Sequence, residues 1–273
     1  MEYPVLEGIE TDLDQRVLTI RFARPEHQNS FTPEQGKFIG RLFRLAEEDH
    51  DVRSIVLTGS GGWFSAGADL RAVDISAAGS LTPPVSSDDN LFVPVIDCSK
   101  PLIAAVNGGC AGGGLGFALC CDIRVASSNA KFATSFLRVG LTANDGVAYF
   151  LPRIVGVAKA LEMIYVPKAV DAAEAERIGL VSYVVEPEQL ATRTRELALA
   201  FAAAPPYSAR LSKRMVLDGM TRSYREHVMA QEYASLANRF AANHDIEEGV
   251  AAFREKRSAD FKGTAGQRSW SDL

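Results

Sequence analysis

The sequence predicts a mixed α/β fold with a parallel sheet at its centre and a helical region at its end. Short apolar runs rich in β-branched residues alternate with helical patterns as far as Val185, and such alternation favours an α/β core. Glycine-rich turns follow two of these runs. From Pro187 onwards the pattern is almost entirely helical, with breaks near residues 205, 218 and 243.

The first elements are predicted to be a hairpin and a helix. Residues 3–9 and 15–22 alternate apolar and polar side chains around a turn at 11–14, which is typical of paired strands. Thr32 then precedes a proline and an acidic residue, as an N-cap does at the start of a helix. We expect this helix to end near Asp49.

Two strand–turn–helix units with the same organisation follow. In the first, the apolar strand 54–58 leads through glycines to a helix that begins near Asp69. In the second, the strand 102–106 leads to three consecutive glycines at 112–114 and an apolar helix. The sequences of the two units are only weakly similar, but the shared order predicts a spiral of repeated β-β-α turns.

The remaining predictions continue this alternation. Residues 77–90 are expected to form a loop, and about 88–98 a helix. Further strands are predicted at 122–126, 131–134 and 180–185, and further helices at 147–154, at 156–165 and from Asp171 to about Ile178.

Composition narrows the class of protein. The chain has 273 residues, of which 47% are hydrophobic and 23% charged, and a formal net charge of −5. Such a chain can bury a sizeable core, and an acidic balance does not favour binding of nucleic acid. The N-terminus lacks a basic and then apolar signal, and no apolar run is long enough to span a membrane. We therefore expect a cytoplasmic enzyme that binds neither nucleic acid nor membranes.

The cysteines and histidines do not indicate a metal site. The four cysteines form no CxxC pair, so reduced, buried thiols are expected rather than disulfides or metal ligands. None of the four histidines has a second histidine or an acidic residue at a metal-binding spacing.

The glycines at 112–114 are the strongest local signal. Each glycine in a helix costs up to about 1 kcal/mol relative to alanine. In return, the first turn presents bare N–H groups at the positive end of the helix dipole, which suits a negative oxygen. The other glycine-rich turn reaches Ala68. If the two strands are neighbours, the amides of Ala68 and Gly113 converge as an oxyanion hole. Close packing of the glycine turn on a neighbouring element is the alternative.

Other glycine or serine motifs do not fit. Phe117 stands where a dinucleotide-binding GxGxxG would need its third glycine. Trp63 stands where a GxSxG nucleophile elbow around Ser65 would need its first glycine. No phosphate-binding GxxxxGK[ST] loop occurs.

Longer motifs closely resemble the crotonase, or enoyl-CoA hydratase/isomerase, superfamily. The resemblance is carried by FSAGADL at 64–70, PLIAAVNGGCAGGGLGFALCCDIRVAS at 101–127, AKFATSFLRVGL at 130–141, LPRIVGVAKALEMI at 151–164, AERIGLVSYVV at 175–185 and EEGVAAFREKR at 247–257. It implies a crotonase-like spiral over residues 1–200 and a helical trimerisation region over 201–273. It also implies a homotrimer or a dimer of trimers, and an acyl-CoA thioester as substrate. Coenzyme A is then part of the substrate, and no further cofactor or metal is expected.

The resemblance also implies positions for the site. The thioester oxygen would be held by the amides of Ala68 and Gly113. The other residues expected to bind substrate are Glu26, Gln28, Ala66, Asp69, Leu70, Gly112, Phe136, Leu141, Phe253 and Lys256. Of these, Phe253 and Lys256 are similar to residues that reach CoA near the subunit interface, while Phe136 and Leu141 are candidates for the apolar wall.

Two departures from the family pattern bear on the chemistry. Hydratases of this family carry two catalytic glutamates, and the corresponding positions here are Gly116 and Phe136. Glycine cannot transfer a proton and phenylalanine cannot activate water. Ordinary hydration of a 2-enoyl-CoA is therefore disfavoured.

A different carboxylate follows in the sequence Asn144-Asp145-Gly146. Some relatives, including certain enoyl-CoA isomerases and 4-chlorobenzoyl-CoA dehalogenase, use an aspartate in this loop. Counting without gaps from Gly140 places Asn144 at that position, and a one-residue difference in loop length places Asp145 there. A carboxylate in a mostly apolar pocket has a raised pKa, which suits an acid/base catalyst.

Several interpretations of Asp145 remain open on the sequence. We expect an isomerase that shifts a double bond through a thioester enolate. The alternatives are an acyl-CoA hydratase or hydrolase, a dehalogenase with Asp145 as nucleophile, and a non-catalytic acyl-CoA-binding protein. Asp145 is also a candidate N-cap for the helix near residue 147.

Overall fold

The computed structural model describes residues 3–72, 90–166 and 168–263, and the predicted mixed α/β fold is confirmed. The strands are β1 Ile9–Asp14, β2 Val17–Phe22, β3 Ser54–Gly59, β4 Trp63–Ser65, β5 Leu102–Val106, β6 Gly109–Ala111, β7 Ile123–Ser127, β8 Lys131–Ala133, β9 Val170–Asp171 and β10 Tyr183–Val185. The α-helices are α1 Pro33–Glu48, α2 Val93–Ile96, α3 Gly113–Cys120, α4 Val147–Val155, α5 Val157–Tyr165, α6 Ala172–Arg177, α7 Leu190–Ala202, α8 Pro206–Gly219, α9 Tyr224–Ala241 and α10 Asn243–Glu255.

The strands form two sheets that the chain visits in alternation. The larger sheet has the order β1-β2-β3-β5-β7-β10, and the smaller one has the order β4-β6-β8-β9. The pairs β3/β4, β5/β6 and β7/β8 each place one strand in the larger sheet and the next in the smaller sheet. Strands β3, β5 and β7 are parallel to one another, as are β4, β6 and β8. This repetition is the predicted spiral.

Helix α3 lies at the centre of the core, and all eight of its residues are buried. Its Phe117 ring contacts the rings of Phe22, Phe31 and Phe92, with centroids 5.7, 5.3 and 4.5 Å away. Aromatic rings at such distances pack favourably in a core. The aromatic cluster holds the glycine-rich start of α3 in place.

Several predicted elements are confirmed. Thr32 caps α1, and its side chain forms a reciprocal capping box with Gln35. Gly156, with φ +80°, separates α4 from α5. Asp171 caps α6, and its carboxylate accepts a hydrogen bond of 2.9 Å from the Glu174 amide. The four helices after Pro187 break where the sequence predicts.

Other predictions were wrong in detail. The N-terminal hairpin turns at Gln15 and Arg16 rather than at 11–14, and both residues have left-handed φ angles of 46° and 67°. No helix begins at Asp69, which is followed by a turn through Arg71. Of the predicted helix at 88–98, the described part forms only the short helix α2. The predicted loop at 77–90 lies outside the described residues, except for residue 90.

The cysteines are free and buried as expected. Burial raises the pKa of Cys98 to about 12, so this thiol stays protonated and unreactive near neutral pH. Across the described ranges, no helix is both long and apolar enough to cross a bilayer.

Candidate active site

The two glycine-rich turns lie side by side because the strands that precede them are paired. β4 and β6 are parallel neighbours, with Trp63 opposite Gly109 and Ser65 opposite Cys110. Parallel strands end at the same edge of a sheet. The turn that follows β4 and the start of α3 therefore leave the sheet at one edge.

The backbone of Ala68 is oriented by a bridge to Phe31. The Phe31 amide donates to the Gly67 carbonyl at 2.9 Å, and the Asp69 amide donates to the Phe31 carbonyl at 2.9 Å. In such a parallel bridge, Phe31 is hydrogen-bonded to the residues on either side of Ala68. The N–H and C=O groups of Ala68 itself then point away from Phe31. The N–H of Ala68 is thus directed away from Phe31.

Gly67 brings Ala68 to the start of α3. Its φ is +95°, and a β-carbon on it would lie only 2.7 Å from the Gly113 amide nitrogen. Only glycine combines this conformation with so close an approach. Within the described ranges, the amides of Ala68 and Gly113 donate no hydrogen bond to the protein. Two neighbouring free N–H groups are what an oxyanion hole requires.

The glycines of α3 serve different purposes. Gly112 has φ +52°, which places it in the left-handed region. A β-carbon on Gly114 would lie 2.3 Å from the Ser65 carbonyl oxygen, so this glycine allows close packing of α3 on β4. The interpretation of close packing is therefore correct for Gly114, while Gly113 has a free amide.

Asp145 lies against α3 at Gly113 and at Gly116. A β-carbon on Gly113 would be 2.9 Å from Oδ2 of Asp145, and one on Gly116 would be 2.2 Å from the Asp145 carbonyl oxygen. Asn144, in contrast, is exposed. The structure thus places Asp145, and not Asn144, beside the glycines, and the Asp145 backbone fills the space next to Gly116.

Burial sets the electrostatics of Asp145. It raises the pKa of the carboxyl group to about 6, because an apolar environment disfavours the charged form. No hydrogen bond or ion pair from the described residues reaches its carboxylate. Cys120 Sγ and the Phe150 ring pack at the adjoining Gly146, each within 3.6 Å of where its β-carbon would be. The group can accept a proton near neutral pH.

The interpretation of Asp145 as a helix N-cap is wrong. Helix α4 begins at Val147, its N-cap is Gly146, and no side chain caps it. Asp145 itself has a left-handed φ of 54°, which aspartate tolerates better than most residues. This conformation holds its main chain against Gly116.

The residues expected to contact CoA surround the Ala68 turn. The Gln28 carbonyl accepts a hydrogen bond of 3.0 Å from the Ala66 amide. Glu26 lies in the 3-10 turn Pro25–His27 and is exposed, as is Leu70. The Asp69 carboxylate is buried and is hydrogen-bonded mainly by Arg71, which holds its pKa down at about 2.

Sequence reasoning missed a group of basic side chains here. Arg71 Nε lies 2.9 Å from Asp69 Oδ1, and Arg24 Nη2 lies 3.4 Å from Oδ2. Arg71 also lies 3.1 Å from Nδ1 of His27. We call Arg24, His27 and Arg71 the basic group. Arg71 is far from Arg24 and His27 in the sequence, and no motif links it to them, so only the fold reveals the group.

Four of the residues expected to bind substrate are not part of the Ala68 turn or its surroundings. Phe136 is buried in the core, and Leu141 is exposed. Phe253 on α10 is 85% exposed, and Lys256 ends that helix with a left-handed φ of 53°. Among the described residues, no hydrogen bond or ion pair joins Phe253 or Lys256 to the Ala68 and Gly113 turns.

The fit of Asp145 on Gly116 predicts the effect of a small substitution. Gly→Ala within a helix normally stabilises a protein, but here the β-carbon would collide with the Asp145 backbone. We expect Gly116→Ala to lower the free energy of unfolding by roughly 1–3 kcal/mol. Denaturant unfolding measures this change.

Gly62→Ala is the matched control, because a β-carbon there meets nothing within 4 Å. It should change the free energy of unfolding by no more than about 0.5 kcal/mol. Equal stability of the two variants would show that Asp145 does not pack tightly on Gly116.

Comparison with known proteins gives the family. The profile described as enoyl-CoA hydratase/isomerase matches residues 12–264. The 1,2-epoxyphenylacetyl-CoA isomerase of Escherichia coli K12 is 32% identical over 264 residues, which cover 95% of this chain and 100% of the relative. The crotonyl-CoA hydratase of Syntrophomonas wolfei is 33% identical over 256 residues, covering 93% and 98%.

A solved structure agrees with these relatives. The crystal structure of an enoyl-CoA hydratase from Bacillus anthracis has a TM-score of 0.86 and 27% sequence identity, covering 94% of this chain and 100% of that one. The fold, the profile match and the relatives together show that this chain belongs to the enoyl-CoA hydratase/isomerase family, a family of acyl-CoA enzymes.

Proposed function

We propose that this enzyme is an acyl-CoA isomerase that shifts a double bond with Asp145 as its acid/base. One observation carries the proposal: a half-buried carboxylate with a raised pKa lies beside Gly113, whose amide donates no hydrogen bond within the described ranges. A single carboxylate next to an oxyanion hole suits proton transfer within one substrate.

The proposed reaction uses two parts of the site. The thioester oxygen accepts hydrogen bonds from the Ala68 and Gly113 amides. The Asp145 carboxylate removes a proton from the α-carbon of a 3-enoyl-CoA, and negative charge moves to the thioester oxygen. The protonated Asp145 then returns the proton to the γ-carbon, which yields a 2-enoyl-CoA. No group enters or leaves the substrate.

The names of the relatives include both an isomerase and a hydratase. The E. coli relative is named an isomerase, which is consistent with an isomerase here. The S. wolfei relative is named a hydratase, so hydration is the second candidate. Against hydration, the space beside Gly116 is filled by the Asp145 backbone, and Phe136 at the other expected position has no acid/base group.

The CoA portion of the substrate is proposed to lie along the Ala68 turn. Glu26, Gln28, Ala66, Asp69 and Leu70 line this stretch. The basic group beside them supplies positive charge, and arginine side chains bind phosphate well. Asp69 would hold Arg71 in place rather than contact the anionic part of CoA itself.

We also propose that the enzyme is a homotrimer or a dimer of trimers. Helix α9 has no buried residue. Met229, Tyr233, Leu236 and Phe240 lie on it at helical spacing and are 54%, 68%, 51% and 88% exposed. An apolar stripe of this size normally packs against another protein surface. Sedimentation velocity measures the mass of the assembly, and a monomer would contradict this part of the proposal.

Replacement of Asp145 tests the catalytic proposal. Asp145→Asn keeps the shape of the side chain but removes the base. We expect kcat for isomerisation of a 3-enoyl-CoA to fall by a factor of about 10² to 10⁴. Binding of the acyl-CoA, measured by calorimetry, should be retained.

Asn144→Ala is the matched control, since the Asn144 side chain is exposed one residue earlier. This variant should keep its activity. If Asp145→Asn were fully active, or if Asn144→Ala were inactive in its place, the assignment of Asp145 would be wrong.

The raised pKa of Asp145 predicts a pH dependence. The carboxylate must be ionised to act as a base, so kcat/KM should fall about tenfold per unit as the pH drops below about 6. A profile that stays flat down to pH 5 would contradict the proposal.

The free energy of unfolding should change with pH in the direction opposite to kcat/KM. The carboxyl group has a pKa of about 6 when folded and 3.8 as its ordinary value, so its charge disfavours folding at neutral pH. This penalty is fully present above pH 6 and disappears as the pH falls towards 4. Asp145→Asn should therefore be more stable than the wild type, by roughly 1–3 kcal/mol, at pH 7 but not at pH 4.

A further inference from the structure

A second site is suggested by a small cavity at the amino-terminal ends of two strands of the larger sheet. Ala68 and Gly113 follow the carboxyl ends of β4 and β6. The cavity instead lies where β3 and β5 begin, next to Arg53 and Lys100. Its volume is about 60 Å³, and the start of α8 closes another side of it.

The lining of this cavity is strongly basic. Five residues that can carry a positive charge line it, and they come from four parts of the chain: His50 and Arg53, Lys100, Arg210, and Lys262. No acidic side chain belongs to the lining among the described residues. We call this space the cationic cavity.

Some of these charges are compensated by the protein. Arg210 forms an ion pair of 2.5 Å with Glu47, and Lys262 forms one with Asp260. Lys100 is buried and donates to the backbone carbonyls of Ala46 and Asp49, which orient the ammonium group but do not neutralise it.

Arg53 differs from Lys100, Arg210 and Lys262. It is only 9% exposed, and its guanidinium forms no ion pair or hydrogen bond with any described residue. The carboxylates of Asp245 and Asp260 act on it electrostatically, but neither accepts a hydrogen bond from its guanidinium. A buried guanidinium whose N–H groups lack acceptors is costly. A ligand oxyanion would accept these hydrogen bonds.

We propose that the cationic cavity binds a phosphate group between Arg53, Lys100 and the start of α8. Arginine donates two parallel hydrogen bonds to such an oxyanion, and lysine adds a point charge. The small volume admits an inorganic phosphate or a terminal phosphate, but not a nucleotide. Because the segments that lead into β3 and β5, helix α8 and Lys262 all contribute, the bound anion would tie the C-terminal helices to the sheet.

Thermal unfolding tests the proposal. The full-length enzyme is measured in sodium phosphate and in sodium chloride of equal ionic strength, with saturating CoA present so that the basic group is occupied. We expect phosphate to raise Tm, and calorimetry to find one phosphate per chain. Phenyl phosphate in a parallel titration distinguishes a terminal phosphate from the free ion, since only a terminal-phosphate site would accept it.

Two variants make the result specific. The first is Arg53→Met, which removes the guanidinium. It should bind phosphate at least tenfold more weakly, so the phosphate-dependent rise in Tm is lost. Lys262→Gln changes an exposed side chain and should also weaken phosphate binding without changing the fold. It is the variant that tests the site if Arg53→Met does not fold.

Arg41→Gln is the control, because Arg41 is an exposed arginine on α1 outside the cavity. It should bind phosphate as the wild type does. The proposal is overturned if phosphate raises Tm no more than chloride does. It is also overturned if Arg53→Met or, should that variant not fold, Lys262→Gln binds phosphate with wild-type affinity.

Discussion

The proposed site depends on one physical constraint, the close approach of two peptide segments at Gly67 and Gly113. The parallel pairing of β4 with β6 brings the two turns to one edge of the smaller sheet. The left-handed conformation of Gly67 then allows its α-carbon to pack against the Gly113 amide. The bridge between Phe31 and Ala68 turns the Ala68 N–H away from the strand. Any side chain at residue 67 would separate the two amides.

The same close packing determines where the carboxylate lies. Helix α3 has no side chain at residues 113, 114 and 116, so Ser65 and Asp145 can approach its backbone. At Gly116 the neighbour is the Asp145 main chain, and at Gly113 it is the Asp145 carboxylate. The absence of a side chain at Gly116 and the position of Asp145 are therefore linked. A glutamate at residue 116 would displace the segment that carries Asp145.

Much of this arrangement could be predicted from the sequence, because α1, α3 and the strands of the larger sheet follow clear apolar patterns. The positions of Ala68 and Gly113 came from a strand–turn–helix pattern together with a family resemblance. The turn at Gln15 and Arg16 could not be predicted, since neither residue usually adopts left-handed angles. The choice between Asn144 and Asp145 depends on loop geometry, and the basic group depends on tertiary contacts, so neither is encoded in local sequence.

The central claim is that one carboxylate, Asp145, moves a proton from the α-carbon to the γ-carbon of the acyl group. The most direct measurement follows a 3-enoyl-CoA that carries deuterium on its α-carbon, converted in water enriched in oxygen-18 and analysed by mass spectrometry. The account predicts that part of the deuterium reappears on the γ-carbon and that no oxygen-18 enters the product. Oxygen-18 in a hydroxyl group at the β-carbon, with no deuterium on the γ-carbon, would contradict it.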